Sequence, residues 1–271
     1  MNFFESLNSA MRRNESLVCV GLDPAMKKLP ECVRSAKQAF FEFNKRIVDA
    51  TKEYVCCYKP QSAFYAGEDR DDELKLTIDY IHENAPGIPV ILDVKRGDIG
   101  STAEQYAKEA FVRYRADAAT VNPYMGSDAV NPFLKYADKG VVILCRTSNP
   151  SSGEIQELVA DGKKIYEHVA VLARDVWNAS GNVLLVLGAT YPEELAAVRG
   201  LCPALPFLVP GVGAQGGDVE KVVRAGRTAD GYGLVINSSR GIIYASREAD
   251  FAEKAGLAAR TLRDQIRAAG Y

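Results

Sequence analysis

Eight short runs of β-branched and aliphatic residues punctuate the chain, and the stretches between them repeat their apolar positions every three or four residues. The runs are Leu17–Gly21, Val55–Lys59, Val90–Lys95, Ala118–Val121, Val141–Cys145, Val183–Leu187, Phe207–Val209 and Leu234–Asn237. Helical spacing follows in Phe40, Phe43, Ile47; in Leu74, Ile78, Ile81; and in Tyr106, Ala110, Tyr114. It returns in Ile165, Val169, Leu172, Val176 and again in Phe251, Leu262, Ile266. Strand–helix alternation implies a parallel sheet joined by crossover helices. Eight such units in 271 residues fit a closed α/β barrel of the TIM (β/α)8 type, with an extra helix ahead of the first strand. No linker or low-complexity stretch interrupts the pattern, so residues 1–271 are expected to form one barrel domain.

Barrel active sites lie at the C-terminal ends of the strands, and strand side chains alternate between two faces. In the third run the alternation predicts Ile91, Asp93 and Lys95 facing inward and Val90, Leu92 and Val94 facing the helices. In the second, Val55, Cys57 and Lys59 share a face; in the first, Leu17, Cys19 and Gly21 do, with Asp23 just beyond the tip. Charged groups therefore gather at three neighbouring strand ends above an apolar layer. Burying carboxylates and ammonium groups together is costly unless they satisfy one another. Charges turned inward at this end of a barrel serve chemistry more often than they serve as a structural ion-pair network. Lys95, flanked by Asp93 and Asp98, is expected to stay protonated, which makes it a proton donor rather than a Schiff-base nucleophile. Lys59 would hold Asp93.

The net charge of -2 supplies no general attraction to nucleic acid or anionic membrane, so any anion site must be local. The N-terminus lacks the pattern of a signal peptide and no apolar run approaches a membrane span, so the chain is expected to be cytoplasmic. Cys19, Cys32, Cys56, Cys57, Cys145 and Cys202 form no C-x-x-C pair and read as reduced, mostly buried residues. His82 and His168 stand far apart in helical patterns, which argues against a zinc site or a Ser-His-Asp triad. The acidic run from Glu68 to Glu73 reads as a solvated helix start rather than a metal site.

Gly211-Val-Gly-Ala-Gln-Gly216 matches G-x-G-x-x-G, but a dinucleotide-binding domain needs that motif after its first strand. Only one strand remains after it here. As the loop after the seventh barrel strand it suits phosphate, which barrels often bind between the seventh and eighth loops. Gln215 can donate there, and Arg240 in Asn237-Ser-Ser-Arg240 offers a guanidinium for bidentate contact.

These residues together resemble the orotidine 5′-phosphate decarboxylase family, in its longer bacterial form, over nearly the whole chain. Asp-Val-Lys-Arg-Gly-Asp-Ile-Gly-Ser-Thr matches the family signature D-x-K-x-x-D-I-x-x-T at Asp93, Lys95, Asp98 and Thr102. Gly-Leu-Asp-Pro places Asp23 at the family's ribose-contacting aspartate, and Tyr-Lys-Pro places Lys59 at its second-strand lysine. Thr-Ser-Asn-Pro puts Ser148 at the pyrimidine-contacting serine, while Gln215 and Arg240 fall on phosphate contacts. Ser239 stands where many members carry glycine; its backbone could still reach phosphate.

The resemblance implies decarboxylation of orotidine 5′-monophosphate to uridine 5′-monophosphate (UMP) without cofactor or metal. Lys95 would protonate C6, and Asp93 would face the substrate carboxylate. It also implies a homodimer in which Asp98 and Thr102 serve the partner's site. The polar segment Asn149–Gly162 and the loop after the seventh strand are candidate lids. Two rival readings remain at this level. A magnesium-dependent sugar-phosphate decarboxylase or aldolase of related barrel type would need an acid at the second strand tip, where this chain has Lys59. A non-catalytic nucleotide-binding barrel would have no need of an inward proton donor.

Overall fold

The computed structural model describes residues 1–212 and 218–270. Eight parallel strands form one sheet: β1 (Val18–Leu22), β2 (Cys57–Pro60), β3 (Ile91–Arg96), β4 (Ala118–Val121), β5 (Gly140–Arg146), β6 (Val183–Leu187), β7 (Phe207–Pro210) and β8 (Leu234–Ser238). β1 pairs with both β2 and β8, and the ladder runs on through β7, β6, β5 and β4 to β3. Bridges from Tyr58 to Val90 and from Gln61 to Asp93 join β2 to β3, so the sheet curls into a barrel. Each apolar run read from the sequence became one of these strands, because runs buried on both faces are what a parallel barrel requires.

Helix α1 (Phe3–Asn14) precedes the barrel and α2 (Ala39–Thr51) to α9 (Phe251–Ala268) surround it, one after each strand. Between them come α3 (Asp71–Asn84), α4 (Gly100–Lys108), α5 (Ser127–Leu134), α6 (Ile165–Leu172), α7 (Pro192–Leu201) and α8 (Val219–Gly226). The Asn2 side chain and Glu5 cap the start of α1 reciprocally. Its Phe3, Leu7 and Met11 are buried, and Asn14 donates to the carbonyls of Lys52 and Val55, each at 2.8 Å. Helix α1 thus covers the N-terminal end of the barrel and leaves the other end open for a site. Helix α3 starts with Asp71, Asp72 and Glu73 in its first turn, as the acidic run suggested. Glu73 is not solvated, however: it is buried, accepting the Phe41 amide and pairing with Arg70.

Five cysteines are buried and all six are free thiols; only Cys32 is exposed. Among the described residues no helix is long and apolar enough to cross a membrane. Asn149–Gly162 is not an open loop. It contains helical turns at Pro150–Ser152 and Gly153–Gln156, and it leads into a small antiparallel ribbon of Val159–Ala160 with Lys163–Lys164.

Candidate active site

At the C-terminal end of β3 the alternation of the strand breaks. The pairing with β4 shifts register between Leu92 and Arg96, and Lys95 adopts φ +46°, a left-handed backbone that side-chain-bearing residues rarely take. The sequence reading put Asp93 and Lys95 on one face of a regular strand. They do meet, but through this bulge rather than through regular pleating. Asp93 is 6% exposed. Its Oδ2 accepts from Lys59 Nζ at 2.8 Å, and its Oδ1 accepts from Lys95 Nζ at 2.6 Å.

Thr120, an inconspicuous member of β4, completes the arrangement. Its Oγ1 donates to Asp93 Oδ1 at 2.8 Å and accepts the backbone amides of Val94 and Lys95 at 3.0 and 2.9 Å. One hydroxyl therefore ties the bulge to the carboxylate it presents. Sequence reasoning missed Thr120 because Ala-Ala-Thr-Val reads as a plain buried strand. A β-branched hydroxyl near a strand tip, beside an acidic neighbour strand, was the available signal.

The electrostatics follow from this geometry. Burial pushes the Asp93 carboxyl up, but Lys59 and Lys95 outweigh it and hold the group well below the usual carboxylate range. Burial likewise works against the charge on Lys59, and the carboxylates of Asp93 and Asp23 outweigh it, holding the ammonium above its ordinary range. Beneath them Cys19, Cys57 and Ile91 are fully buried, and burial pushes the Cys57 thiol up. The charges thus rest on a dry apolar floor.

Lys59 opens onto a cavity of about 420 Å³ that is also lined by Asp23, Asn237, Ser239 and Arg240. Asp23 Oδ1 is buried there and has no hydrogen-bond partner among the described residues. Its loop is fixed by Tyr244, whose hydroxyl accepts from the Ala25 amide and donates to the Asp23 carbonyl. Ser239 donates to the Gly21 carbonyl at 3.2 Å. Gly21 has to be glycine for Ser239 to fit, because a β-carbon there would stand 2.7 Å from that of Ser239. Arg240, exposed, begins a short helical turn at the cavity rim.

Other expected residues lie apart. Ser148, half-buried, follows β5, and Gly188 passes it so closely that an added β-carbon would come within 2.9 Å of its backbone. Asp98 accepts the amide of Ile99 and pairs with neither Asp93 nor Lys95 of its own chain among the described residues. The sequence reading had it flanking Lys95; the turn at Gly97 and Gly100 carries it past the bulge instead. Thr102 is exposed on the first turn of α4. Gln215 and the rest of the loop from Gly213 to Gly217 lie outside the described residues. The two histidines are occupied structurally: His82 pairs with Asp117 at 2.9 Å, and His168 meets the Ala160 carbonyl at 2.7 Å.

Residues 16–255 match the model of the orotidine 5′-phosphate decarboxylase / HUMPS family. The chain belongs to that family. Among curated relatives it is 58% identical to the orotidine 5′-phosphate decarboxylase of Ralstonia pickettii, over 98% of each chain. It is 56% identical to the enzyme of that name from Azoarcus sp., over 99% of each. The solved OMP decarboxylase of Leishmania donovani superposes with a TM-score of 0.86 at 43% identity, covering 99% of both chains. UMP synthase from the same organism matches with a TM-score of 0.85 at 44% identity over 98% of this chain and 57% of its own. Membership sets the cluster around Asp93 beside curated relatives that match over nearly the whole chain and carry the name orotidine 5′-phosphate decarboxylase.

Proposed function

We propose that the chain decarboxylates orotidine 5′-monophosphate to UMP and CO2, the last step of de novo pyrimidine synthesis. The observation that carries this is a buried Asp93 gripped by Lys59 and Lys95 beside a cavity that ends at Arg240. Breaking the bond from C6 to the carboxylate leaves an electron pair on C6. An ammonium fixed beside that carbon stabilises the pair and then donates its proton to it. Lys95, tethered to Asp93 yet with its side chain 44% exposed, takes that role and regains its proton from water. Asp93 faces the departing carboxylate. Arg240, Gln215 and the backbone of Ser239 hold the phosphate, Asp23 the ribose and Ser148 the base. Phosphate contacts far from C6 can lend their binding energy to the chemical step.

Purified protein mixed with orotidine 5′-monophosphate in EDTA should bleach the orotate absorbance. A folded protein that binds UMP but leaves the absorbance untouched would point to the silent-binder reading. Activity that needs added magnesium would favour the sugar-phosphate enzymes, although Lys59 at the second strand tip is an ammonium where they need a metal ligand.

The working unit in this proposal is one barrel domain over residues 1–271, paired with a second copy in the cytoplasm, with neither membrane nor nucleic acid as partner. Ile99, Tyr124, Met125, Ile155, Leu158 and Val159 are exposed apolar residues, and all follow β3, β4 or β5. Tyr124 and Ile155 share an apolar hollow of about 640 Å³ with Leu172 and Trp177. Exposed apolar surface of this kind supports an interface. Asp98 and Thr102 lie on the same side, consistent with service in the partner's site. Mixing inactive Lys95→Ala and Asp98→Ala proteins should restore activity as mixed dimers form. Subunit exchange seen by mass spectrometry without any activity would end the shared-site model.

A further inference from the structure

Asn237 is a polar residue of the cavity to which the sequence reading gave no role. It ends the inward face of β8, level with Cys19 on β1, and it is 7% exposed. Its Oδ1 accepts the thiol of Cys19 at 3.4 Å. That contact fixes the plane of the amide and leaves Nδ2 as its free end, facing no acceptor among the described residues. Asn237 lines the same cavity as Asp23 and Lys59. Nothing stands over it from β1, since Gly21 has no side chain and a β-carbon there would come 3.4 Å from Asn237 Oδ1.

The three groups complement one another chemically. A sugar hydroxyl has one hydrogen to donate and two lone pairs to be met. Asp23 Oδ1, buried and without a partner among the described residues, offers an acceptor. Lys59 uses Asp93 for one of its hydrogens and can give another. A second donor, this one neutral, completes the set, and the Asn237 amide is that donor. A buried polar group left facing a cavity is also a device for rejecting ligands that lack its partner.

We propose that Asn237 is a specificity-determining contact to a ribose hydroxyl of the nucleotide, donating through Nδ2 beside Asp23. The proposal rests on the nucleotide reading above. It makes the chain discriminate ribonucleotides from their deoxy forms through a residue outside the catalytic cluster.

The test is direct binding by calorimetry of UMP, 2′-deoxy-UMP and 3′-deoxy-UMP to the full chain and to two variants. Asn237→Leu removes the amide at similar volume. Asn237→Asp keeps an acceptor for the Cys19 thiol and lacks the donor, so it reads the same contact if the leucine variant fails to fold. Wild type should bind UMP more tightly than at least one deoxy analogue. In each folded variant that ratio should shrink about fivefold to tenfold, the worth of one hydrogen bond. Affinity for that deoxy analogue should change little in Asn237→Leu. An unchanged ratio in the variants, or a wild type blind to both hydroxyls, overturns the role of Asn237 alone. A wild type that does not bind UMP at all removes the nucleotide reading itself.

Discussion

The tips of β3 and β5 use the same device toward opposite ends. Both strands lose register with a neighbour at their C-terminal ends, β3 between Leu92 and Arg96 and β5 between Leu144 and Arg146. Both break where a buried charge must be accommodated. At β5 that charge is Arg146, 1% exposed, and its donors are taken up by the protein. Its Nε meets Glu194 at 2.5 Å, Nη2 pairs with Glu157, and Nη1 reaches Ser152 and the Thr147 carbonyl. Its guanidinium also stacks 4.2 Å from the centre of the Tyr191 ring. Arg146 thereby fastens the segment after Ser148 to α7, and little of its bonding capacity remains. At β3, by contrast, Lys95 gives one hydrogen to Asp93 and keeps its side chain 44% exposed, while Asp23 nearby keeps an unmet oxygen. Burial of charge does not separate structure from chemistry here. Residual bonding capacity does.

That distinction breaks most sharply at Lys95. Lys95→Ala should lower turnover by on the order of 10⁴, at the upper end for a positioned acid, while UMP still binds. Near wild-type bleaching of orotate by this variant would dissolve the contrast between the two tips.

Arg146→Ala should do the reverse. Stripping a buried cation from its carboxylates costs about 3 kcal/mol of stability, at the low end because Glu157 can reach water. Urea unfolding would register it, and the protein that remains folded should keep the substrate chemistry of wild type. A variant with normal stability and lost turnover would move Arg146 into the active machinery.

Thr120 sharpens the comparison from the β3 side. Thr120→Val keeps the shape and loses all three hydrogen bonds of the hydroxyl, so kcat should fall roughly tenfold to a hundredfold with KM nearly constant. Thr120→Ser should recover most of the rate. A loss confined to KM, or no rescue by serine, would show that Thr120 does not act through the bulge.

The smallest effect is in the pH dependence of stability. The folded Asp93 carboxyl is held low, so its contribution is present above its unfolded value of about 4 and fades as pH drops toward the folded one. Lys59 is held high, so its share is present below about pH 10.4 and fades as pH climbs beyond. Asp93→Asn should lower the plateau and flatten the acid side of the urea midpoint plotted against pH. An acid limb as steep as that of wild type would assign it to other carboxylates.

The barrel was legible because the bodies of its strands are buried on both faces and so write themselves as apolar runs. Lys59, Asp93 and Lys95 were legible because charge at such a strand tip is anomalous. The bulge was not, since period-two alternation cannot announce where it stops. Thr120 stayed hidden because its hydroxyl matters only beside Asp93, a neighbour from another strand. Arg146 was overlooked because its acids lie 11 and 48 residues further on, at Glu157 and Glu194.

The backbone at Lys95 carries one more implication, for laboratory evolution. A lysine at φ +46° sits in a conformation that glycine adopts at roughly 1 kcal/mol less. In the proposed mechanism turnover needs the ammonium, whereas survival of heat does not. In a library of variants sorted only for survival at high temperature, glycine should replace lysine at position 95 only where Asp93 changes as well, since Asp93 would otherwise lose a counter-charge; in one sorted for growth without uracil, lysine should hold. The position would then report which demand a population has met.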